Sequence, residues 1–527
     1  MRANDVMRAI ELAQQALDAG HANPVLFSLR AHWRKHNGQA MDAIADLESA
    51  LEMEPRSTKL FTEIADCLNS LGHHRKALMA ASDAIDCDPA YPKAWYEKGL
   101  AHQMLNELEQ SRDAYEHAIG INPRMAGALA RLAALAAQQG EHDAARDYAG
   151  RALAIRPADD VAQLTLVSLD LAQNQLEPAE ARIRSMLDFS GTAALTRAIA
   201  LSRLGDLRDR QGRRQEAFEA YGESGDRWKT VYGPRYQRPG HESITQMLDR
   251  SSATLEALPA VPQREAPRRA EADDSAGLAF IFGFPRTGTT LLGQILASRP
   301  DVALFEERPL LKNAIDDFVD ARGGLEKLAE TPDSALASYR EDFWQRVQRQ
   351  GIETRGKLVV EQTAFNTVYL PVIRRLFPDA PVVFALRDPR DVVFSCFRRL
   401  FAPNLFTLEL HSLDSTARFY TAVMRFAQSY RDKLDFHPLE VRNEDLVADF
   451  DTVTQRLCAH LGLGWDESIR DYQRVTRHKL IATLSAPQVR RGISSDGVAY
   501  WENYREQMAP VLSTLAPWVE KFGYSPR

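Results

Sequence analysis

The chain has 527 residues, a length that indicates more than one domain. Of these residues 26% are charged and 45% are hydrophobic, a composition typical of folded proteins. Its 65 Lys and Arg against 72 Asp and Glu give a net charge of −7, which argues against a protein that coats nucleic acid but allows a local basic pocket. Four widely separated cysteines show no metal-ligand spacing and favour a reducing compartment. No apolar leader follows the first methionine and no run reaches the roughly 18 apolar residues of a membrane span, so we expect a cytoplasmic protein.

The first half of the sequence repeats with a period of 34 residues. Each unit contains a large apolar residue and, four positions later, a small residue. A Gly or Asn comes next in the unit, and the unit ends with an alanine that is followed five residues later by a proline. The Gly or Asn positions suit the left-handed turn between two helices. The residues in these registers include Phe27, Phe61, Trp95 and Leu129, then Ala31, Ala65, Gly99 and Ala133, then Gly38, Gly72, Asn106, Gly140 and Asn174, and the prolines Pro55, Pro89, Pro123 and Pro157.

This pattern resembles the tetratricopeptide repeat. Five units extend over about residues 24–186, a sixth, slipped by four residues, includes Gly205, Gly212 and Ala217, and residues 4–20 are similar to the second helix of an incomplete leading unit. Stacked repeats of this kind form a superhelix with a concave groove. The resemblance implies a peptide or protein partner in that groove, and the alternative is a scaffold that only solubilises or dimerises the protein. A homo-oligomer is compatible with the sequence.

A change of pattern after the repeats marks the domain boundaries. Residues 258–277 are rich in proline and mixed charge and poor in large apolar side chains, which is typical of a linker. From residue 278 the pattern becomes strand, loop and helix. The sequence therefore predicts a repeat domain over residues 1–226, a connecting helix and linker over 227–276, and a second domain over 277–527.

The second domain begins with a candidate phosphate loop. Residues 278–282 form an apolar run typical of a buried strand, residues 283–290 form a loop framed by Gly283 and Gly288, and a helical pattern follows. This arrangement lets backbone N–H groups and a helix N-terminus hold a phosphate. The spacing matches the nucleotide P-loop except that Thr289 replaces its lysine, which argues against ATP hydrolysis.

A second strand, residues 381–386, ends at Arg387, and Ser395 follows on the next helix. Parallel strands bind ligands at their carboxyl ends, so Arg387 and Ser395 are candidates for a second anion contact. The alternative is that Arg387 and Arg390 only pair with Asp388 and Asp391.

Together the two segments resemble the sulfotransferases that use 3′-phosphoadenosine-5′-phosphosulfate (PAPS), and the similarity is highest to bacterial tetratricopeptide-repeat sulfotransferases and tyrosylprotein sulfotransferases. The resemblance covers about residues 277–527 and implies a P-loop-like, three-layer α/β/α domain with a parallel sheet behind the α-helical repeats. It assigns the 5′-phosphosulfate to the first loop and the 3′-phosphate to the second anion contact. The implied donor-binding residues are Arg286, Thr287, Gly288, Thr289, Thr290, Arg387, Ser395, Arg399 and Ser485.

Sulfuryl transfer requires a base for the acceptor hydroxyl and cations for the leaving phosphate. The resemblance places Glu307 as the base and Arg286 as the cation on the 5′-phosphate and sulfonate. The alternative for Glu307 is a solvated residue at a helix start, and His411 is a rival base. Such a transfer needs no metal, and no metal-ligand cluster is visible in the sequence.

Three positions depart from the family. Gln362 stands where relatives carry a lysine, Tyr500 where they carry Lys or Arg, and Gly492 where they carry a proline. The first two changes remove positive charge from the donor site, where Arg374, Arg490 or Arg491 are candidates to replace it.

The leading hypothesis is a PAPS-dependent sulfotransferase that acts on an acceptor hydroxyl, a protein tyrosine among the candidates, with the repeats presenting the acceptor or a partner. The alternative is a repeat-based interaction scaffold whose second domain has lost catalysis. A nucleotide kinase or hydrolase is a third hypothesis, weakened by the missing P-loop lysine.

Overall fold

The structure, a computed structural model, describes residues 3–236, 242–257, 277–319, 323–434, 436–476 and 492–526. It separates into two compact units, residues 1–192 and residues 193–527. The sixth repeat therefore belongs to the second unit by its contacts. The division of contacts after residue 192 thus differs from the boundary at residue 226, which rests on the repeat pattern and stays a prediction. Ser485, Arg490 and Arg491 lie outside the described residues.

The first unit consists of paired helices that follow the 34-residue period, which confirms the repeat superhelix. Each pair packs through small side chains, because alanines at the contact positions let two helix backbones approach closely. The helices are α1 (Ala3–Asp18), α2 (Pro24–His36), α3 (Ala40–Met53), α4 (Thr58–Ser70), α5 (His74–Cys87), α6 (Pro92–Met104), α7 (Leu108–Ile121), α8 (Ala126–Gln139), α9 (His142–Ile155), α10 (Asp160–Ala172) and α11 (Leu176–Asp188).

The turns between the helices of each pair confirm the predicted glycine register. Gly38, Gly72 and Gly140 have φ angles of 77°, 80° and 84°, and Asn106 and Asn174 have φ angles of 61° and 57°. This left-handed conformation is strained for most side chains, which explains why Gly or Asn recurs at these positions.

The second unit begins with the sixth repeat, α12 (Ala194–Arg210) and α13 (Arg214–Tyr236), whose turn includes Gly212 with a φ of 75°. Gly205 on α12 lies directly under the ring of Tyr221 on α13, as Gly99 lies under Tyr115 in the third repeat, where an added Cβ would be 2.7 Å from the ring. The sixth repeat therefore packs like the others although its register is slipped.

The rest of the second unit is an α/β domain. Its strands are β1 (Gly277–Phe282), β2 (Val302–Glu306), β3 (Leu358–Gln362), β4 (Val382–Leu386) and β5 (Leu439–Arg442). Its helices are α14 (Ile244–Ala257), α15 (Thr289–Ala297), α16 (Lys312–Phe318), α17 (Gly324–Glu330), α18 (Asp333–Gln348), α19 (Leu370–Leu376), α20 (Pro389–Phe397), α21 (Leu413–Leu434), α22 (Asn443–Ala448), α23 (Phe450–His460), α24 (Tyr472–Thr476) and α25 (Arg505–Lys521).

The five strands form one parallel sheet in the order β2-β3-β1-β4-β5. Alternate residues of β1 enter two different cores: Phe280 and Phe282 lie in a large aromatic core on one face, and Ala279 and Ile281 pack with α15 and α23 on the other. Helices thus cover both faces of the sheet, which confirms the predicted fold class. Since all strands run the same way, their carboxyl ends meet at one edge. Within the ranges that the structure describes, no helix is both long and apolar enough to cross a membrane.

Candidate active site

The carboxyl edge of the sheet brings together four segments that the sequence keeps far apart. The loop after β1 runs from Gly283 to Gly288, a 3₁₀ turn (Ala364–Thr367) follows β3, α20 begins after β4, and α22 follows β5. β1 and β3 are direct neighbours, as are β1 and β4, so the loop lies between the 3₁₀ turn and α20. This is the edge at which parallel sheets bind ligands.

The loop after β1 is shaped as a cradle that leads into a helix N-terminus. Arg286 has a φ of 73°, and Gly288, with a φ of 104°, is the residue immediately before α15. A side chain at Gly283 would place its Cβ 2.5 Å from the carbonyl oxygen of Ala385, so only glycine fits there. Thr289 and Thr290 are buried in the first turn of α15, where backbone N–H groups lack partners within the helix. The predicted strand, loop and helix are therefore present as expected.

Three of the predicted donor-binding side chains meet beside this loop. The Nε of Arg286 donates to the hydroxyl of Ser395 over 3.0 Å, and a terminal nitrogen of Arg387 donates to the carbonyl oxygen of Arg286 over 3.3 Å. Arg387 also donates to the carbonyl oxygen of Gly497, while its buried Nε has no hydrogen-bond partner among the described residues. The carboxyl ends of β1 and β4 thus bring the guanidinium groups of Arg286 and Arg387 to the same part of the sheet edge.

This cluster carries more positive than negative charge. Burial, together with the nearby charges of Arg399 and Arg387, lowers the pKa of Arg286 to about 9. Asp391 is the acidic neighbour of Arg387 at 3.9 Å, but burial raises the pKa of its carboxyl to about 6. An excess of buried positive charge of this kind is stabilised by a bound anion.

Arg399, predicted to contact the donor, follows the end of α20, four residues after Ser395, and its side chain pairs with α12. A terminal nitrogen of Arg399 is 2.8 and 3.0 Å from the two carboxylate oxygens of Asp206. Its neighbour Arg398 is 3.5 Å from Asp209 and stacks over the ring of Tyr500, 4.9 Å from the centroid. The role of Arg399 toward a donor stays a prediction.

Glu307 follows β2 and lies next to the 3₁₀ turn. Its backbone N–H donates to the carbonyl oxygen of Gln362 over 2.9 Å, and its Oε1 is 3.5 Å from the backbone nitrogen of Ala364. Its φ of 50° turns the chain sharply away from the strand. Solvent reaches the side chain, yet protein surrounds the carboxylate, and this loss of hydration raises its pKa. A carboxylate of this kind is suited to accept a proton.

A second carboxyl group, Glu361, is not among the residues that the sequence predicts for the site. It is buried at the end of β3 and accepts hydrogen bonds from Thr363, over 2.7 Å, and from the side-chain amide of Asn366. Burial, together with the charge of Glu307, raises its pKa to about 8. Thr367, at the end of the same turn, donates to the carbonyl oxygen of Gly283. Glu361 therefore organises the turn that joins the cradle to Glu307.

Gln362 occupies the position at which the family resemblance leads us to expect a lysine. Its side chain is fully buried at the carboxyl end of β3, and neither its amide oxygen nor its amide nitrogen has a hydrogen-bond partner among the described residues. It packs against Gly293 of α15, directly below the phosphate loop. An unpaired buried amide of this kind is expected to bond a polar ligand group.

His411 and Arg374 are held by contacts of their own. The rival base His411 bonds the carbonyl oxygen of Leu408 over 2.8 Å and Lys229 of α13 over 3.3 Å, and burial lowers its pKa. Arg374 stacks over the ring of Phe436 and donates to Ala380, which precedes β4, so it lies toward the amino end of that strand. Within the described part of the chain, no three metal-ligating side chains cluster.

Comparison with known proteins finds a family match in each part of the chain. Residues 279–467 match the sulfotransferase family, and residues 92–125 match the tetratricopeptide repeat. A protein of Aquifex aeolicus described as uncharacterized is 22% identical over 89% of this chain, which spans 61% of that protein's length. Protein-tyrosine sulfotransferase A of Caenorhabditis elegans is 22% identical over 47% of this chain and 67% of its own length.

Among solved structures, a tetratricopeptide-repeat protein of Thermus thermophilus is 21% identical, with a TM-score of 0.32 over 34% of this chain and 98% of that one. The family matches fall on the two halves that the sequence distinguishes. The C-terminal part of the chain is therefore similar to the sulfotransferase family, and the N-terminal part is similar to the tetratricopeptide repeat.

Proposed function

We propose that this protein transfers a sulfuryl group from PAPS to an acceptor hydroxyl, and that protein tyrosine is a candidate acceptor. The observation that carries the proposal is the meeting of Arg286, Ser395 and Arg387 at the carboxyl edge of the sheet. The sulfotransferase-family match and the named protein-tyrosine sulfotransferases among the relatives support the reaction class.

The residues present fit a donor with two anionic ends. The cradle formed by residues 283–288, the N–H groups at the start of α15, and Arg286 suit a phosphosulfate. The buried, unpaired Nε of Arg387 and the hydroxyl of Ser395 suit a second phosphate. When bound, PAPS supplies an activated sulfur atom, and these residues would orient it and balance its charge.

Glu307 is the proposed base. Its carboxylate accepts the proton of the acceptor hydroxyl while the acceptor oxygen forms a bond to sulfur. The bond between sulfur and the 5′-phosphate oxygen breaks, its electron pair stays on that oxygen, and the configuration at sulfur inverts. Arg286 and the N-terminus of α15 stabilise the negative charge that develops on the leaving phosphate. Gln362 contributes a hydrogen bond there instead of a charge, so the proposed enzyme relies on arginine more than relatives with a lysine do.

The repeats are proposed to bind a peptide or a protein, either the acceptor itself or a partner that delivers it. Their concave surface is the part of the chain suited to an extended polypeptide. The tetratricopeptide match supports this role.

Calorimetric titration of 3′-phosphoadenosine-5′-phosphate (PAP) tests the donor site. We expect micromolar-range binding to the wild type, at least tenfold weaker binding to Arg387→Ala, and unchanged binding to the matched control Arg375→Ala, whose guanidinium pairs with Asp333 at the surface. An acceptor screen then follows, with Glu307→Gln as the inactive control. If the wild type does not bind PAP, the donor proposal fails, and the presence of Gln362 in place of the expected lysine would favour the alternative of a non-catalytic interaction scaffold.

A further inference from the structure

The sixth repeat carries a partly buried carboxylate that pairs with Arg399, one of the predicted donor-binding residues. Asp206, on α12, contacts both Arg399, at 2.8 Å, and Arg203, at 3.2 Å, and accepts a hydrogen bond from the hydroxyl of Tyr221 over 3.0 Å. Its side chain is only 15% exposed. Partly buried charge pairs of this kind are much less screened by salt than surface pairs.

Arg399 connects Asp206 to the anion cluster. Arg399 lies in the turn after α20, where its backbone N–H donates to the carbonyl oxygen of Cys396 over 3.0 Å. The thiol of Cys396 in turn donates to the carbonyl oxygen of Pro285, the residue before Arg286, over 3.4 Å. The charge of Arg399 is also the largest of the neighbouring charges that lower the pKa of Arg286. A donor whose anionic groups are bound at Arg286 and Ser395 would therefore lie in the field of Arg399 and of its partner Asp206.

Asp206 carries its negative charge throughout the neutral range. Although burial disfavours the charged form, the surrounding arginines outweigh it and hold the pKa of Asp206 at about 2. A fixed negative charge beside a site for a polyanion opposes binding twice: it engages Arg399, and it repels the anion directly.

We infer that Asp206 is a positioning residue of the donor site that holds Arg399 on α12 and thereby weakens the binding of the anionic donor. This inference rests on the proposed function, because it assumes that the anion bound at Arg286 and Ser395 is the nucleotide donor. It gives the sixth repeat a direct influence on donor affinity.

The departures from the family agree with this role of α12. Tyr500 stands where the resemblance leads us to expect a basic residue, and its hydroxyl donates a hydrogen bond to Asp209. The hydroxyl of Tyr504 also donates a hydrogen bond to Asp209. Asp209 also contacts Arg214 and Arg398. The segment in which the resemblance leads us to expect a positive charge is thus bound to α12 here through two tyrosine hydroxyls.

PAP titration into the variant Asp206→Asn tests the inference. Asparagine keeps an acceptor for the Tyr221 hydroxyl but removes the charge, so we expect PAP to bind about three- to tenfold more tightly. The matched control Glu223→Gln removes one negative charge from α13, where Glu223 pairs with its surface neighbour Arg227, and it should bind PAP like the wild type. The double variant Asp206→Asn/Arg399→Ala should lose the gain.

Tighter binding is an outcome that structural damage does not produce. Equal or weaker binding of PAP to a folded Asp206→Asn variant would overturn the inference while leaving the donor site intact, whereas no binding to the wild type would overturn the proposed function with it. Thermal unfolding of each variant, compared with that of the wild type, establishes whether the variant is folded. If Asp206→Asn does not fold, Asp206→Ser, which also retains a hydrogen-bond acceptor, carries the same expectation and the same refutation.

Discussion

The buried carboxyl group of Glu361 leads to a specific prediction about stability and pH. Its pKa is raised to about 8 in the folded chain from an ordinary value of 4.5, mainly because burial disfavours the charged form. The folded state therefore holds a proton that the unfolded state releases between these two values. Stability is lost as the pH rises from about 4.5 to about 8 and changes no further above that range, because both states are then ionised.

The size of the effect follows from the two pKa values. The interval between 4.5 and about 8, at about 1.4 kcal/mol per pH unit, corresponds to a loss of up to about 5 kcal/mol. The variant Glu361→Gln keeps the shape of the side chain but cannot ionise. Its amide oxygen can still accept from Asn366, and its amide nitrogen can donate to the hydroxyl of Thr363. We therefore expect it to be more stable than the wild type at pH 8 and to lose that advantage at pH 4.5.

Calorimetry of the full chain at several pH values measures this difference. The transition that shifts when PAP is added identifies the second unit, since a ligand stabilises the unit that binds it. Glu330→Gln, on the exposed surface of α17, is the matched control and should follow the wild type at every pH. If the advantage of Glu361→Gln is the same at pH 4.5 and pH 8, the reasoning from burial is wrong.

Three further changes probe the site. Glu307→Gln should lower kcat for sulfuryl transfer at least 100-fold while the Kd for PAP stays within about twofold, and unchanged kcat would contradict a role as base. Gln362→Lys should tighten PAP binding about tenfold and lower the melting temperature, since it adds a charge to a fully buried position; titration and thermal unfolding measure both. Gly283→Ala should destabilise the second unit by about 2 kcal/mol or more, because its Cβ would meet the backbone of Ala385, and a variant as stable as the wild type would contradict the geometry of the cradle.

Much of the fold was predictable because the relevant signals are local. A left-handed turn restricts its own residue, so Gly38 and Asn106 mark the repeat turns in the sequence itself. The phosphate loop is similarly local, since strand, loop and helix are consecutive. The sequence assigned Arg286 and Ser395, 109 residues apart, to separate anion contacts, and the rule that parallel strands end at one edge of the sheet explains why the two side chains meet.

The residues that the sequence did not reveal act over long separations or against their local pattern. Asp206 stands in a repeat helix, where the pattern reports only how helices pack, and its partner Arg399 is 193 residues away. Glu361 ends a strand that is otherwise apolar, and its buried position depends on Thr363 and Asn366, which only the folded turn brings to it. A carboxyl residue at the end of a buried strand, followed by short polar residues, is the signal that could have identified it.

The placement of the sixth repeat has a practical consequence for dissecting the protein. By sequence α12 and α13 belong to the repeats, but by contact they belong to the second unit. A fragment that starts at residue 277 would lack Asp206, Asp209 and Tyr221, and would leave Arg398 and Arg399 without their acidic neighbours. A cut after Thr192 keeps these ion pairs together, so a fragment made to study the second unit alone should begin at Ala193 and retain the last helix pair.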